Sequence, residues 1–413
     1  MRRHAPPSRA SPKLVDPHLN AARAIAAITV VVDHVRNLLF VDAPDLGPHA
    51  GGAAVLVYAL TGFGHQAVMV FFVLSGYLVG GSVLQAWRRG SWSWSEYLVR
   101  RLSRLWTVLI PALALCAAVD SAGMWLLGTH NLYGGHGSSG QDVIEYAVGS
   151  TLSPAVLLGN ALFLQTVRAP VYGSDAALWS LANEFWYYLL FPLAVGALGM
   201  NRRAVGRLAA AAAAVAILVL VGPGIGIYFV VWLLGAALAA ISIWRAALLG
   251  PGSRVPLLAV GAGGLAAALG LARSHHLGSA LLSDAAVGVS FTILLAGLLC
   301  RRRRQPERGT MGELYSFMCG QVADRSYTLY LVHLPPLVLA AAWLAPASRW
   351  RPDAPHLGIA AATVGVIGLY TLVISEVTER RTDRVRDWVR RHLRLTGATT
   401  AAEPERVTVH RRR

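Results

Sequence analysis

The sequence predicts an all-α, polytopic membrane protein with about ten transmembrane helices. Hydrophobic residues make up 55% of its 413 residues and charged residues only 14%, whereas about a quarter of a typical soluble domain is charged. Apolar runs near 20 residues recur along the chain, and a run of about 20 residues can cross the bilayer as one helix. The lipid bilayer is therefore the first partner that the sequence predicts.

Ten such runs are delimited by short polar or basic segments. The fifth and sixth runs are separated only by Gly222, Pro223 and Gly224, which are typical turn residues. We predict transmembrane helices at residues 20–41, 66–86, 104–127, 178–200, 205–222, 224–244, 255–273, 280–300, 322–345 and 357–378.

The basic residues predict how these helices are oriented. If the N-terminus is cytoplasmic, 30 of the 37 basic residues fall in cytoplasmic segments and four in outer loops. Such an excess is typical of cytoplasmic loops, so we expect both termini in the cytoplasm. The chain then divides into a basic cytoplasmic N-terminus at 1–19, a membrane domain at 20–378 and a basic cytoplasmic tail at 379–413. The longest outer loop, 128–177, is long enough to have a function and could shape an acceptor site.

The net charge of +16 could suggest a nucleic-acid partner, but we expect none. The basic residues lie between apolar runs, where membrane topology and anionic lipid explain them. Arginine supplies 36 of the 37 basic residues, a bias typical of a GC-rich genome, so we predict a multi-pass protein of a bacterial inner membrane. The three cysteines are far apart and predict neither a disulfide framework nor a metal site.

Arg23 and His34 lie in the first predicted helix. Ionisable side chains inside a membrane segment are costly and often functional. Eleven residues are about three helical turns, so both side chains project from nearly the same face, about 16 Å apart along the axis. A cation near the cytoplasmic end and an imidazole deeper in the membrane indicate a channel with chemistry at depth. A snorkelling arginine and a histidine bonded to a neighbouring helix would also explain them.

Glu184 lies about two turns below the outer end of the fourth predicted helix, which places it near the depth of His34. We therefore predict that the two side chains pair. The carboxylate would fix the ring tautomer and stabilise an imidazolium as His34 takes a proton. A structural ion pair is the alternative. A proton-coupled transporter would also need buried Glu, His and Arg.

Other polar residues are candidates for the same site. Ser75 lies among glycines of the second predicted helix that allow close helix packing. Arg101 and Arg104 are one turn apart at the cytoplasmic start of the third helix, where they could grip an anion or only anchor the helix. His333 precedes two prolines that break the ninth helix and could free backbone groups to line a cavity.

Five motifs together resemble the acyltransferase 3 family of integral membrane acyltransferases. They occur in the family's order and span most of the chain. The matching residues are Arg23 with His34, Phe71 to Tyr77, Arg101 with Arg104, Leu178 to Glu184, and Ser326 to His333.

The resemblance implies an enzyme that transfers an acyl group, with acetyl the expected one, from acyl-CoA to a hydroxyl of a carbohydrate or glycosylated acceptor. It implies the stand-alone type of the family, without an SGNH domain. Coenzyme A phosphates would bind Arg23, Arg101 and Arg104, and no metal is expected. His34 would act as general base or transient acyl carrier, with Glu184 orienting it. The substrate pocket would contain Ser75, Tyr330 and His333.

Overall fold

The computed structural model describes residues 16–47, 51–135, 143–200, 203–274, 280–300, 310–346 and 348–393. Within these ranges the chain is helical, and its only β-type contacts are two isolated bridges. The predicted all-α class is confirmed for this part of the chain. Most of the predicted N-terminal segment, and the tail beyond residue 393, lie outside the described residues.

Fifteen α-helices are described. A π-helical turn, Gly76–Gly80, joins the third to the fourth, and a second one, Gly196–Met200, follows the seventh. The helices are α1 Pro17–Leu39, α2 Gly52–Leu60, α3 Gly64–Ser75, α4 Gly81–Arg88, α5 Trp94–Leu127, α6 Pro154–Ala161, α7 Leu178–Val195, α8 Ala204–Trp244, α9 Arg254–Ser274, α10 Ala280–Leu299, α11 Thr310–Ala323, α12 Ser326–Val332, α13 Leu334–Leu344, α14 Ala354–Val377 and α15 Thr382–His392.

Seven helices of the described chain are long and apolar enough to cross a membrane, or eight if the bent pair before and after His333 forms one span. The protein is thus a multi-pass membrane protein. Helix α1 coincides with the first predicted span but is not among the seven, because Arg23, Asp33 and Arg36 make it more polar. The count of ten and the cytoplasmic placement of both termini stay predictions.

Helix α8 contains the predicted turn between the fifth and sixth spans. Gly222 has φ 75° and ψ −180°, outside the helical region, and Pro223 cannot donate a backbone hydrogen bond. A Cβ atom on Gly226 would lie 3.7 Å from Leu218 Cδ2, whereas eight residues of straight helix rise about 12 Å. The chain therefore folds back on itself here, as the sequence predicts.

A second predicted break lies at His333, where the helical segment Gly312–Val332, which contains α12, meets α13 at 59°. Pro335 and Pro336 remove two N–H donors from the first turn of α13, so the helical ladder cannot continue through them. The carbonyl oxygens of Leu329 and Tyr330 are then available to the His333 side chain. This confirms that the prolines break the ninth predicted span.

Glycines allow α3 and its π-helical extension to pack closely on α8. A Cβ atom on Gly76 would lie 2.0 Å from the carbonyl oxygen of Trp232, and one on Gly80 would lie 2.8 Å from Cβ of Ala236. The packing role predicted for the glycines of this segment is confirmed. Beside this pair, α1 and α12 run in the same direction, because Arg23 contacts Ser326 near their starts and the two histidines meet near their ends.

Candidate active site

The candidate active site contains a pair of hydrogen-bonded histidines. His34 Nδ1 lies 2.8 Å from His333 Nε2, and the rings are nearly parallel, with centroids 5.1 Å apart. His333 Nδ1 lies 3.0 Å from the Leu329 carbonyl oxygen and 2.9 Å from that of Tyr330. His333 is fully buried, whereas His34 is partly exposed.

These bonds fix the tautomers of both rings. A carbonyl oxygen only accepts, so His333 Nδ1 must carry the proton, and in the neutral ring Nε2 is then an acceptor. His34 Nδ1 therefore donates to His333 Nε2. The lone pair of neutral His34 is left on Nε2, the nitrogen that can take a proton from a substrate.

Glu184 does not serve as the partner of His34, which corrects the predicted pairing. Its carboxylate accepts hydrogen bonds from the hydroxyl of Tyr188 and from Ser75 Oγ, the latter at 2.8 Å, and Trp232 Nε1 donates to Ser75 at 3.2 Å. Within the described residues no hydrogen bond joins it to His34. The prediction matched depths along two helices, but α1 turns its histidine towards α12 and α13 while α7 turns its glutamate towards α3.

A partly open cavity of about 140 Å³ is lined by Tyr330, whose ring lies near His333 of the histidine pair. Most of its lining is apolar. It also brings together six of the eight predicted site residues, which are Arg23, Ser75, Arg101, Arg104, Glu184 and Tyr330. His34 and His333 are not in the lining. Tyr330 connects the two parts, because its ring centroid is 6.1 Å from that of His333 and its hydroxyl contacts Ser180 Oγ at 2.6 Å.

Three arginines stand where this cavity meets a second, larger one. Arg23 donates to Ser326 Oγ at 3.1 Å, and Arg101 donates to Ser82 Oγ at 3.1 Å. Arg104 is exposed to the cavities, and among the described residues it forms neither a hydrogen bond nor an ion pair. Guanidinium groups bonded only to hydroxyls, or to nothing, are suited to hold an anion.

The second cavity is polar, with a volume of about 520 Å³, and the same three arginines belong to its lining. Glu379 also lines it and accepts from the backbone and the hydroxyl of Thr328, at 3.1 and 2.9 Å. The two cavities thus share one wall of positive charge. Within the described residues no cluster of three side chains could hold a metal ion.

The structure adds site residues that the sequence did not predict. Tyr188 bonds to Glu184, and Glu379 reaches the second cavity from the first turn after α14. His333 was assigned to the pocket, whereas the structure makes it the partner of His34. The two prolines after His333 were the available signal, because a helix break frees the carbonyl oxygens that hold its ring.

The loop predicted to lie outside the membrane contains a buried carboxyl group. Asp175 is 1% exposed, and neither carboxylate oxygen has a hydrogen-bond partner within the described residues. Burial raises the pKa of Asp175 well above its ordinary value, and the neighbouring carboxylate of Asp120 adds to the rise. The group also interacts electrostatically with Tyr330. The predicted outer loop therefore comes within electrostatic range of Tyr330, which lines the cavity.

Fold and site together define a multi-pass membrane protein with an enzyme-like internal site. The model of the acyltransferase 3 family, described as an acyltransferase domain, matches residues 16–375. The chain belongs to this family of acyltransferase domains, as its motifs predict. The family therefore supports acyl transfer and gives no support to the transporter alternative.

An uncharacterized protein of Haemophilus influenzae (strain ATCC 51907 / DSM 11121 / KW20 / Rd) is 30% identical to this chain over 125 residues. The similar region covers 30% of this chain and 46% of that protein, so the chain matches less than half of its relative's length. No solved structure matches the chain.

Proposed function

We propose that the protein is an O-acyltransferase of a bacterial inner membrane. It moves an acyl group, with acetyl the expected one, from acyl-CoA to a hydroxyl of a carbohydrate or glycosylated acceptor. The observation that carries the proposal is that α1 places a cavity-lining arginine and a tautomer-fixed histidine on one unbroken helix. Arg23 faces both cavities, and His34 lies about 16 Å further along the axis.

The donor binds from the side of the larger cavity. Its phosphates meet Arg23, Arg101 and Arg104 through charge-assisted hydrogen bonds, and its pantetheine arm follows the apolar cavity towards Tyr330. Because Tyr330 stands between this cavity and His333, its side chain must turn aside for the thioester to reach His34. We place the entry of the acceptor at the opposite end, on the side of the loop that contains Asp175.

His34 is proposed as the general base. Its Nε2 takes the proton of the acceptor hydroxyl as that oxygen attacks the thioester carbonyl, forming the C–O bond of the ester. The tetrahedral intermediate collapses with cleavage of the C–S bond. The departing thiolate takes a proton from the His34 imidazolium and leaves as free coenzyme A, so the proton count balances. His333 accepts from His34 Nδ1 and stabilises the imidazolium.

Glu184 has a different role from the one first predicted. Its carboxylate faces the cavity that contains Arg23 and Arg104 and interacts electrostatically with both arginines. We place it as a positioning residue that holds the guanidinium groups at the junction of the cavities, together with Ser75 and Tyr188. Its removal is expected to weaken donor binding more than the chemical step.

The test is acyl transfer by purified full-length protein, measured as release of the coenzyme A thiol from acetyl-CoA with and without a panel of glycosides. His34→Ala should lower turnover by about 10²- to 10⁴-fold, the usual contribution of a general base. Unchanged chromatographic behaviour in detergent would show that the variant is folded. Wild-type turnover in this variant would overturn the mechanism.

Two further measurements refine the test. Rapid quenching and mass spectrometry of the peptide containing His34 would detect an acyl-imidazole if His34 carries the group. Comparing glycans and small glycosides from wild-type and deletion strains should reveal one product that loses an acyl mass. If the wild-type and deletion strains yield the same products and the purified protein releases no thiol, the proposed donor and acceptor are wrong.

A further inference from the structure

We propose that the C-terminal helix α15 completes the donor site by binding the 3′-phosphate at the nucleotide end of acyl-CoA. This inference rests on the proposed function. Helix α15 begins at Thr382, beyond the segment 16–375 that matches the family model. It is therefore a feature of this chain that the family assignment does not supply.

The larger cavity is lined by more arginines than the arginine pair and Arg23. Seven arginines and three carboxylates line it. Glu96 pairs with Arg100, and Glu376 pairs with Arg325 and Arg380, so two positive charges remain in excess. Beyond the three shared arginines, the lining contains Arg100, Arg325, Arg380 and Arg386. Its volume of about 520 Å³ falls within the roughly 300–1,000 Å³ range of small-molecule sites. A phosphorylated ligand would balance this charge.

Unsatisfied donors point to the same kind of ligand. Arg101, Arg325 and Arg386 each have a buried Nε–H group with no hydrogen-bond partner within the described residues. They come from α5, from the residue before α12 and from α15, and all three line the cavity. Buried donors without partners are costly, and a bound phosphate offers the acceptors that they lack.

Helix α15 is held in place by contacts that leave Arg386 facing the cavity. Arg390 forms an ion pair of 2.6 Å with Glu96 in the first turn of α5. Arg386 contacts Asp383 at 3.0 Å through Nη1 and Asp387 at 3.8 Å through Nε. Neither contact uses Nη2, which is left to a ligand. Since Arg101 and Arg104 lie further along α5 from Glu96, α15 lies at the outer rim of the cavity. The rim is where the end of the donor furthest from the thioester must lie.

The experiment measures binding of coenzyme A and of 3′-dephospho-coenzyme A to full-length protein by calorimetry. Arg386→Gln should weaken coenzyme A binding about tenfold but leave 3′-dephospho-coenzyme A binding unchanged. Arg384→Gln is the matched control, because Arg384 is an exposed residue of the same helix outside the cavity lining, and it should change neither affinity by more than about twofold. If Arg386→Gln is poorly folded, Arg386→Lys replaces it, with a smaller loss expected for coenzyme A only.

The outcomes separate this inference from the proposed function. If the wild type binds neither compound, the donor assignment fails and the inference fails with it. If the wild type binds coenzyme A and Arg386→Gln binds it equally well, or weakens both compounds alike, only the inference is overturned. An anionic lipid could also supply the phosphate. Loss of bound phosphatidylglycerol from Arg386→Gln, with unchanged coenzyme A affinity, would assign the cavity to lipid and overturn the proposal.

Discussion

His34 and His333 illustrate how two identical side chains take different roles. The backbone carbonyl groups freed at the α12–α13 break hold the proton on Nδ1 of His333, and this leaves Nε2 of His34 as the free base. The asymmetry comes entirely from hydrogen bonding, because both rings belong to the same residue type. A buried carboxylate would have been the more familiar partner, but it would also have put a full negative charge beside the reacting atoms.

The choice of partner can be tested at the level of single residues. His333→Ala removes the acceptor of His34 Nδ1, so the required tautomer is no longer fixed and turnover should fall by about 10²- to 10⁴-fold. Glu184→Gln should lower turnover by less than about tenfold and act mainly on the KM for acetyl-CoA. Steady-state kinetics across pH gives both values, and the pH profile should change for His333→Ala only. A larger loss of turnover in Glu184→Gln would support the Glu184 carboxylate as the partner of His34.

The buried carboxyl group of Asp175 predicts how the thermal stability of the protein depends on pH. The pKa of Asp175 in the folded protein is raised above its ordinary value of 3.8. The protonated carboxyl group therefore contributes its full stabilisation to the folded protein below pH 3.8, and this contribution is lost as the pH rises through the folded-state pKa. Asp175→Asn does not titrate, so its melting temperature should fall less than that of the wild type between about pH 4 and neutral pH. Thermal unfolding in detergent across this range measures the effect. Parallel curves for the two proteins would contradict it.

At the level of helices, the site depends on a few close approaches. The contact of α3 and its π-helical extension with α8 brings Trp232 to Ser75, and Ser75 in turn donates to Glu184. The packing of α3 on α8 therefore positions the Glu184 carboxylate through the hydrogen bonds of Trp232 and Ser75. A change in the spacing of these helices would reach the cavity without altering any residue that lines it.

Gly76 gives a direct test of this packing. The Ala methyl group in Gly76→Ala would lie 2.0 Å from the Trp232 carbonyl oxygen, so the helices must separate at a cost of about 1–3 kcal/mol. Gly263→Ala in α9 is the control, because nothing lies within 4 Å of its added Cβ, and it should be neutral or stabilising by up to about 1 kcal/mol. Thermal inactivation in detergent compares them. Equal stability of the two variants would show that the contact is not tight.

For the whole molecule, the sequence predicts features that depend on neighbouring residues along the chain. The Arg23–His34 spacing, the turn at Gly222 and the break before Pro335 are all local, and the structure has each of them. The partner of His34 depends on which helices stand side by side, and hydropathy carries no information about lateral order. The contribution of α15 to the larger cavity escaped prediction for the same reason.

The orientation of the whole molecule is testable with single cysteines in a chain whose native cysteines are replaced. Asp45 and Ser91 are exposed and flank one predicted span, at 66–86. In intact cells a membrane-impermeant maleimide should label Asp45→Cys and leave Ser91→Cys unmodified, and lysis should make both reactive. The reverse pattern would show that the topology is opposite to the predicted one. Labelling of both cysteines in intact cells would show that no membrane span separates them.

The three arginines between the two cavities have a further consequence for the membrane itself. A passage that admits a long donor towards the middle of a bilayer could also conduct ions. Three guanidinium groups at its narrow junction give it a positive electrostatic potential, which repels protons and metal cations as an arginine does in water-selective pores. Under the proposed function, the charge that attracts a phosphorylated donor would also oppose the leakage of protons and metal cations through this junction.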